Sequence, residues 1–324
     1  MISGTLIATP THCEEADVSQ STTVPLSSGI EMPAVGFGTY LIPNEETSVA
    51  VRRALHAGYR HVDTAEAYGN EEGVGEGIHE SAASLGLARE DVFVTTKLWP
   101  GNPEWGDPAK GPAATSSALE SSLARLGMDH VDLYLIHAPF AGEGRLDQWR
   151  ALVDLRDRGR ARAVGVSNFS IDHIREIEDA GLPLPDANQI ELHPWSQKPD
   201  LVEFLQDKGI QPIAYSSLVP LSSWRAVEGQ DSAKTDAMTA DGTREDSPLK
   251  RLAAKYSVSE AQILLRWGIQ KGFAVLPKST HVERVRANLD LFSFELDSQD
   301  MDTLAGMDRG AGVAWAVGDP TEAD

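Results

Sequence analysis

The sequence predicts an α/β protein of the (β/α)8 TIM-barrel class, with an N-terminal β-hairpin and long βα loops. Eight short apolar runs alternate with longer amphipathic ones, and parallel strands need a helical crossover between them. The first run is followed by TYLIPNEE, without the Gly-rich turn that an open dinucleotide-binding sheet carries after its opening strand. Length agrees, since 324 residues exceed the roughly 250 of a typical barrel and leave room for insertions and tails around one domain.

Residues 1–23 are polar, with Cys13-Glu14-Glu15 and a Ser/Thr cluster. Lacking a basic start and an apolar core, they read as a flexible tail and not a signal peptide. The barrel is assigned to residues 24–308 and a C-terminal loop or tail to 309–324. From Val24, VPLSSGIEMPAVGFGT reads as a hairpin with Ser28-Gly29 at its turn. The strand candidates are VGFGT (35–39), HVDT (61–64), VFVTTK (92–97), DLYLIH (132–137), ARAVGVS (161–167), ANQIEL (187–192), QPIAYS (211–216) and FAVLP (273–277). Between them, EETSVAVRRALHAG, ALESSLARLG and DQWRALVDLRDRG repeat apolar residues at three- and four-residue steps and end at glycine, as helices prefer. The glycines of GNEEGVGEG (69–77) read as a helix start, not as a nucleotide fingerprint. Stretches 100–114 and 219–247, rich in Pro, Gly, Ser and acid and carrying Trp105 and Trp224, read as irregular loops of the kind that form binding lids. The last run is glycine-rich and acidic and carries Trp315; a disordered tail and a further pocket loop both fit it.

Composition excludes several functions. With 49 acidic against 28 basic residues the net charge is -21, which argues against a nucleic-acid or anionic-membrane surface. No apolar run reaches the roughly 20 residues that span a bilayer. The lone Cys13 allows no internal disulfide and suits a reducing cytoplasm. The acidic excess fits either a solvated, self-repelling surface or a saline cytoplasm.

The chemistry gathers at three strand ends. In RHVDTAEAYGNEE, Asp63 closes a strand and Tyr68 stands in the turn after it; Lys97 closes the next strand and His137 the one after. A tyrosine hydroxyl can give a proton to a substrate oxygen, but free phenol titrates at about 10, so it needs a nearby cation at neutral pH. Singly, Asp63 reads as a turn residue, Tyr68 as a packing aromatic and His137 as a satisfied core histidine. Together they stand where a barrel places its active site. An aldolase-like barrel would use Lys97 as a Schiff base, but leaves Tyr68, Tyr215 and the PKS run unexplained. No HExxH or CxxC spacing occurs, so no metal is expected.

On these residues the chain resembles the aldo-keto reductase family, from about Leu26 to Asp308, with the family's tetrad on Asp63, Tyr68, Lys97 and His137. The resemblance implies carbonyl reduction: Tyr68 donates the proton, Lys97 favours its phenolate, Asp63 holds Lys97, and a neutral His137 orients the carbonyl. It also implies NADPH. Ser167, Asn168 and Gln189 match the contacts to the nicotinamide carboxamide, Tyr215 the ring that stacks on it, and Gly38, Thr39 and Tyr40 a further edge. Ser216, Leu218 and Leu221 match the segment over the pyrophosphate, Lys278, Ser279 and Arg284 the 2'-phosphate contacts, and Asn288 the adenine end. Read without the family, PKSTHVERVRANL is a strand followed by a basic helix start, a weak anion-site signal.

Two positions depart from the family pattern. Ala287 replaces a glutamate common beside Asn288, which bears on adenine contacts. His137-Ala138-Pro139 replaces the frequent HWP, which predicts a more open substrate pocket at Ala138, with Tyr40, Trp99 and Trp315 as its other walls. The implied function is NADPH-dependent reduction of an aldehyde or ketone, sugar-derived carbonyls included, to an alcohol. An NADPH-binding redox-sensing subunit is the other reading, and the complete tetrad favours the enzyme. The expected partner is a small carbonyl substrate, acting on a monomer or weak oligomer.

Overall fold

The computed structural model describes residues 23–222, 232–316 and 318–323. The tail expected at 1–23 lies, apart from Thr23, outside the described residues, as does Trp224.

Two short strands, β1 (Thr23–Pro25) and β2 (Glu31–Pro33), pair antiparallel as the expected hairpin. Its turn is closed by the Gly29 N–H donating to Leu26 O at 2.8 Å, with Gly29 at φ 81°, a left-handed conformation that glycine adopts without a Cβ penalty. Eight strands follow: β3 (Phe37–Gly38), β4 (His61–Asp63), β5 (Phe93–Leu98), β6 (Val131–Ile136), β7 (Ala161–Ser167), β8 (Ala187–Glu191), β9 (Gln211–Tyr215) and β10 (Ala274–Val275). They lie in chain order in one sheet, every neighbour parallel. The ends of that sheet meet: Val35 bridges Val275, the Gly36 N–H donates to Val275 O at 2.9 Å, and the Val275 N–H donates to Ala34 O at 2.8 Å. The sheet is therefore closed into the (β/α)8 barrel, each of its strands falling on one of the eight apolar runs.

Alternation along the strands sorts the core into two clusters. Inside the barrel, Phe93, Leu133, Leu135, Ala163, Ala187, Ile213 and Leu276 pack on one another, and Leu26 and Met32 of the hairpin plug the lower end. Outward residues such as Val94, Tyr134, Ile136, Val164, Val166 and Ile190 pack instead under the helices. Those helices are α1 (Asn44–His56), α2 (Glu71–Leu85), α3 (Pro112–Leu126), α4 (Arg145–Asp157), α5 (Ile171–Asp179), α6 (Pro199–Asp207), α7 (Asp236–Gly242), α8 (Pro248–Tyr256), α9 (Glu260–Gln270), α10 (Val282–Leu289) and α11 (Ser298–Ala305). None is long and apolar enough to cross a membrane.

One helix departs from the sequence reading. α7 lies inside the stretch 219–247 expected to be irregular; it is only 7 residues long, too short for a period to register, and is started by Thr235, whose hydroxyl accepts the Met238 N–H.

The glycines of GNEEGVGEG begin α2, and their spacing is a packing device. A Cβ on Gly73 would lie 2.5 Å from Asn44 O and one on Gly77 2.8 Å from Ser48 O, so this face lets α1 approach closely. Gly75 faces the other way, where a Cβ would lie 2.3 Å from Leu126 O at the end of α3. Buried Glu71 anchors the same helix start, accepting from Thr96 Oγ1 at 2.6 Å and Arg125 Nε at 2.7 Å. Because that neighbour of Gly75 is backbone and cannot swing away, Gly75→Ala should destabilise the protein by about 1–3 kcal/mol, whereas Ala→Gly exchanges on open helix faces cost about 1 kcal/mol or less. Denaturant unfolding checks this, and an unchanged midpoint would refute the packing role.

Candidate active site

The inward parity that fills the lower barrel with Leu133 and Leu135 continues upward to His137. By the same alternation Phe93 and Thr95 lead to Lys97, His61 leads to Asp63, Ala163 leads to Ser167, Ala187 leads to Gln189 and Ile213 leads to Tyr215. Six strands thus deliver polar side chains to one mouth, at their carboxyl ends.

Lys97 is fully buried. Its Nζ donates to Asp63 Oδ1 at 2.7 Å, to Thr64 O at 2.8 Å and to Tyr68 Oη at 3.4 Å. An ammonium has three N–H donors, and each has one acceptor here. Burial lowers the Lys97 pKa, while the charge and hydrogen bond of Asp63 oppose that shift. The second Asp63 oxygen accepts from Gln189 Nε2 at 2.8 Å.

Tyr68 ends a 3-10 turn, Glu66–Tyr68, that Gly69 closes at φ 65°. The turn is held by buried Asn70, whose Nδ2 donates to Thr39 O at 2.9 Å and Ile42 O at 3.0 Å while its Oδ1 accepts from Thr64 Oγ1 at 2.8 Å. Asn70 was missed in the sequence; it has no chemistry of its own, only the task of fixing the loop that carries Tyr68.

His137 stands edge-on to Tyr68, Trp99 and Trp315, with ring centroids 5.5, 6.0 and 6.3 Å away. Burial, and secondarily the charge of Lys97, hold its pKa well below the ordinary histidine value. Its Nδ1 is buried without a hydrogen-bond partner among the described residues. Beneath it, Asn168 Nδ2 donates to His137 O at 3.0 Å, Tyr215 Oη donates to Asn168 Oδ1 at 2.7 Å, and Trp315 Nε1 donates to Tyr215 Oη at 2.9 Å. Asn168 and Ser216 both hold positive φ, 63° and 54°, backbone conformations that cost energy and concentrate at ligand sites.

These groups line one cleft of about 1220 Å³, above the usual range of roughly 300–1000 Å³ for small-molecule pockets. At one end are Tyr40, Asp63, Tyr68, Trp99, His137 and Trp315; Gly38, Ser167, Asn168, Gln189 and Tyr215 form the middle, with Ser216, Leu218 and Leu221 beside them; Lys278, Ser279, Arg284 and Asn288 lie at the other end. Lys97 stands behind the wall. Neither Lys278 nor Arg284 has a carboxylate partner among the described residues, and burial lowers the pKa of Lys278. Glu260 and Ala287 also line the cleft near Asn288, and the carboxylate of Glu260 carries an oxygen, Oε1, that is buried without a partner.

Besides Lys97, two expected positions are not on the cleft. Thr39 and Ala138 each follow an inward residue, so alternation turns them outward. Thr39 is buried and donates its hydroxyl to Asp63 O at 3.0 Å, tying β3 to β4. Ala138 is fully buried and does not line the cleft, so its small size removes no wall. The aromatic surface beside His137 comes from elsewhere: Phe140 lies 6.1 Å from Trp99, 5.5 Å from Trp105 and 5.8 Å from Trp315. Trp105, isolated in the sequence, stacks on Trp99 at 6.1 Å.

The model of the Aldo/keto reductase family matches residues 34–309. The chain belongs to that family. This aldo/keto reductase is 38% identical over 286–289 residues to Bacillus subtilis proteins that include a glyoxal reductase, covering 89% of this chain and 93% of that relative. It is 36% identical to the NAD(P)H-dependent D-xylose reductase I,II of Candida tropicalis, over 89% of this chain and 93% of the other. Among solved structures, the Bombyx mori aldo-keto reductase in complex with NADP superposes with a TM-score of 0.78 at 35% identity, covering 90% of this chain and 94% of that one.

In this aldo/keto reductase the His137 ring should stay neutral from pH 8 to pH 6, because its pKa lies well below the ordinary value. Nitrogen-15 shifts of the ring read this directly, and a titration near about 6.5 would show that burial does not govern the residue.

Proposed function

We propose that this aldo/keto reductase reduces an aldehyde or ketone to an alcohol with NADPH as the reductant and Tyr68 as the proton donor. The observation that carries the reading is the contact of Lys97 Nζ with Tyr68 Oη, 3.4 Å, in a wall where Lys97 is also paired with Asp63.

The residues fit the cofactor. At about 1220 Å³ the cleft has room for more than a small molecule; Gln189, Asn168 and Ser167 bring amide and hydroxyl groups to it, and Lys278 and Arg284 line it without an ion-pair partner among the described residues. A pair of cations suits a phosphate monoester, which favours NADPH over NADH. When bound, NADPH supplies the hydride to the carbonyl carbon.

The chain's own side chains handle the oxygen. Tyr68 gives its phenolic proton as negative charge develops there. The ammonium of Lys97 stabilises the phenolate left behind, and Asp63 keeps that ammonium charged and aimed despite its burial. Neutral His137 carries its proton on Nε2 and donates it to the carbonyl oxygen as a hydrogen bond, leaving Nδ1 as the buried acceptor. Trp99 and Trp315 present apolar faces that exclude water beside it. The names of two relatives, a glyoxal reductase and a xylose reductase, support small dicarbonyl and sugar-derived carbonyl compounds as the substrate class.

Tyr68→Phe should lower kcat by roughly 10²–10⁴-fold while NADPH binding, followed by fluorescence titration, is retained. Turnover that survives in the variant would remove Tyr68 from the proton-donor role. Lys278→Met together with Arg284→Met should raise the KM for NADPH by at least roughly tenfold, since charge-assisted bonds contribute about 1.5–3 kcal/mol each, and leave the KM for NADH nearly unchanged. Equal losses with both cofactors would sink the phosphate assignment.

A further inference from the structure

The chemistry proposed for the cleft does not account for Glu191, an acid at the end of β8 that is 1% exposed and does not line the cleft. Its Oε1 accepts from His193 Nε2 at 2.9 Å and from the Val313 N–H at 2.9 Å; its Oε2 accepts from the Ala314 N–H at 2.8 Å. Burial works to raise its pKa, but these three donors outweigh burial and hold it below the ordinary glutamate value. A carboxylate that takes two consecutive peptide N–H groups defines the register of that peptide: a slip of one residue breaks both bonds.

The chain has room for this seat only because of Gly312. A Cβ there would lie 2.6 Å from Glu191 Oε2 and 3.0 Å from Asp319 Oδ2. Asp319 makes a second clasp, accepting from the Gly312 N–H, from Lys198 Nζ and from Thr321. The next residue after the seated pair is Trp315. Its indole N–H bonds Tyr215 Oη at 2.9 Å, and its ring stands 6.3 Å from His137 and 5.8 Å from Phe140.

We propose that Glu191 is a positioning residue for substrate selection, seating the Val313-Ala314 peptide so that Trp315 is held as a wall of the substrate end of the cleft. The inference rests on the reading of that cleft as a carbonyl-reducing site. Glu191 touches no substrate; it acts through Trp315. A neutral carboxamide at this position keeps the shape but turns an N–H toward one of the three donors, so the seat loosens while the barrel beneath it stays packed.

The test is Glu191→Gln in the full-length protein. Hydrogen exchange of the amides of Val313 and Ala314 should accelerate by roughly tenfold or more, as expected for loss of charge-assisted bonds, while peptides of β5 and β6 keep their protection. KM for a panel of aldehydes and keto-sugars should rise by roughly tenfold with kcat and NADPH affinity changed by less than about threefold, the pattern of lost substrate binding. In a Trp315→Ala background the same substitution should add nothing further to KM, because residues acting in series are non-additive. Exchange at 313–314 unchanged in Glu191→Gln, or a KM effect that adds in full to that of Trp315→Ala, overturns the proposal. If Glu191→Gln does not fold, Gly312→Ala displaces the same peptide from the other side and is read by the same two criteria. A wild-type protein that turns over no carbonyl, yet shows the Glu191-dependent exchange, refutes the activity and leaves the seat standing; turnover with exchange independent of Glu191 does the reverse.

Discussion

An ammonium buried in the wall of a barrel is expensive, and most of the upper structure is arranged around making that burial tolerable. Lys97 is removed from water entirely, so each of its N–H bonds must find an acceptor inside the protein. Asp63 supplies charge, Thr64 a carbonyl and Tyr68 a hydroxyl. The three come from one short stretch, because β4 and β5 pair in parallel with Asp63 opposite Thr95, which puts Lys97 two residues above its partner strand's end and lets it lean back over the following turn. Barrel closure matters here. The Val35–Val275 bridge fixes the first strand against the last, and through it the distance between β3, directly after which Thr39 holds Asp63 O, and the rest of the mouth.

From that ion pair a single hydrogen-bonded system runs across the cleft. Asp63 reaches Gln189 on β8, and the Ser167 hydroxyl donates to Gln189 O at 2.7 Å. Asn168 reaches back to His137 and forward to Tyr215, and Tyr215 meets Trp315. The groups proposed to hold a cofactor and those proposed to move a proton therefore share partners.

Much of this was legible in the sequence, for a physical reason. Strands buried on both faces, such as VFVTTK and DLYLIH, leave largely apolar runs, so Lys97 and His137 announce themselves as the cation and the imidazole standing at the mouth end of such a run. Ala138 and Thr39 stand at family site positions, yet period-two alternation turns both away from the axis once His137 and Gly38 face it. Asn70 and Phe140 leave no signal: a buried amide that joins the loops after β3 and β4, and one aromatic of a four-ring surface, derive their meaning from contacts between segments apart in the chain. α7 was invisible because seven residues carry no period.

The acidic excess also acquires a structural reading that composition alone withholds. Several of the 49 acids are internal staples, not surface charge. Asp186 accepts from Ser27 Oγ, the Ser28 N–H and the Val164 N–H, which fastens the hairpin plug to the bottom of the barrel. Asp132 joins Arg89, Arg162 and the Val94 N–H between β5 and β6. Glu71 holds α2 to β5 and α3, Asp63 holds Lys97, and Glu191 and Asp319 seat the C-terminal loop. Each is nearly fully enclosed and surrounded by N–H or O–H donors, so each is an anion whose solvation the fold itself replaces. Using acids in this way consumes donors throughout the molecule. Lys278 and Arg284 stand apart from these staples: both line the cleft, where Glu260 and Glu283 also stand, yet neither is in an ion pair among the described residues, so in a chain of net charge -21 their charge is not taken up by an internal staple, which supports the proposal that they meet an anionic group of the cofactor.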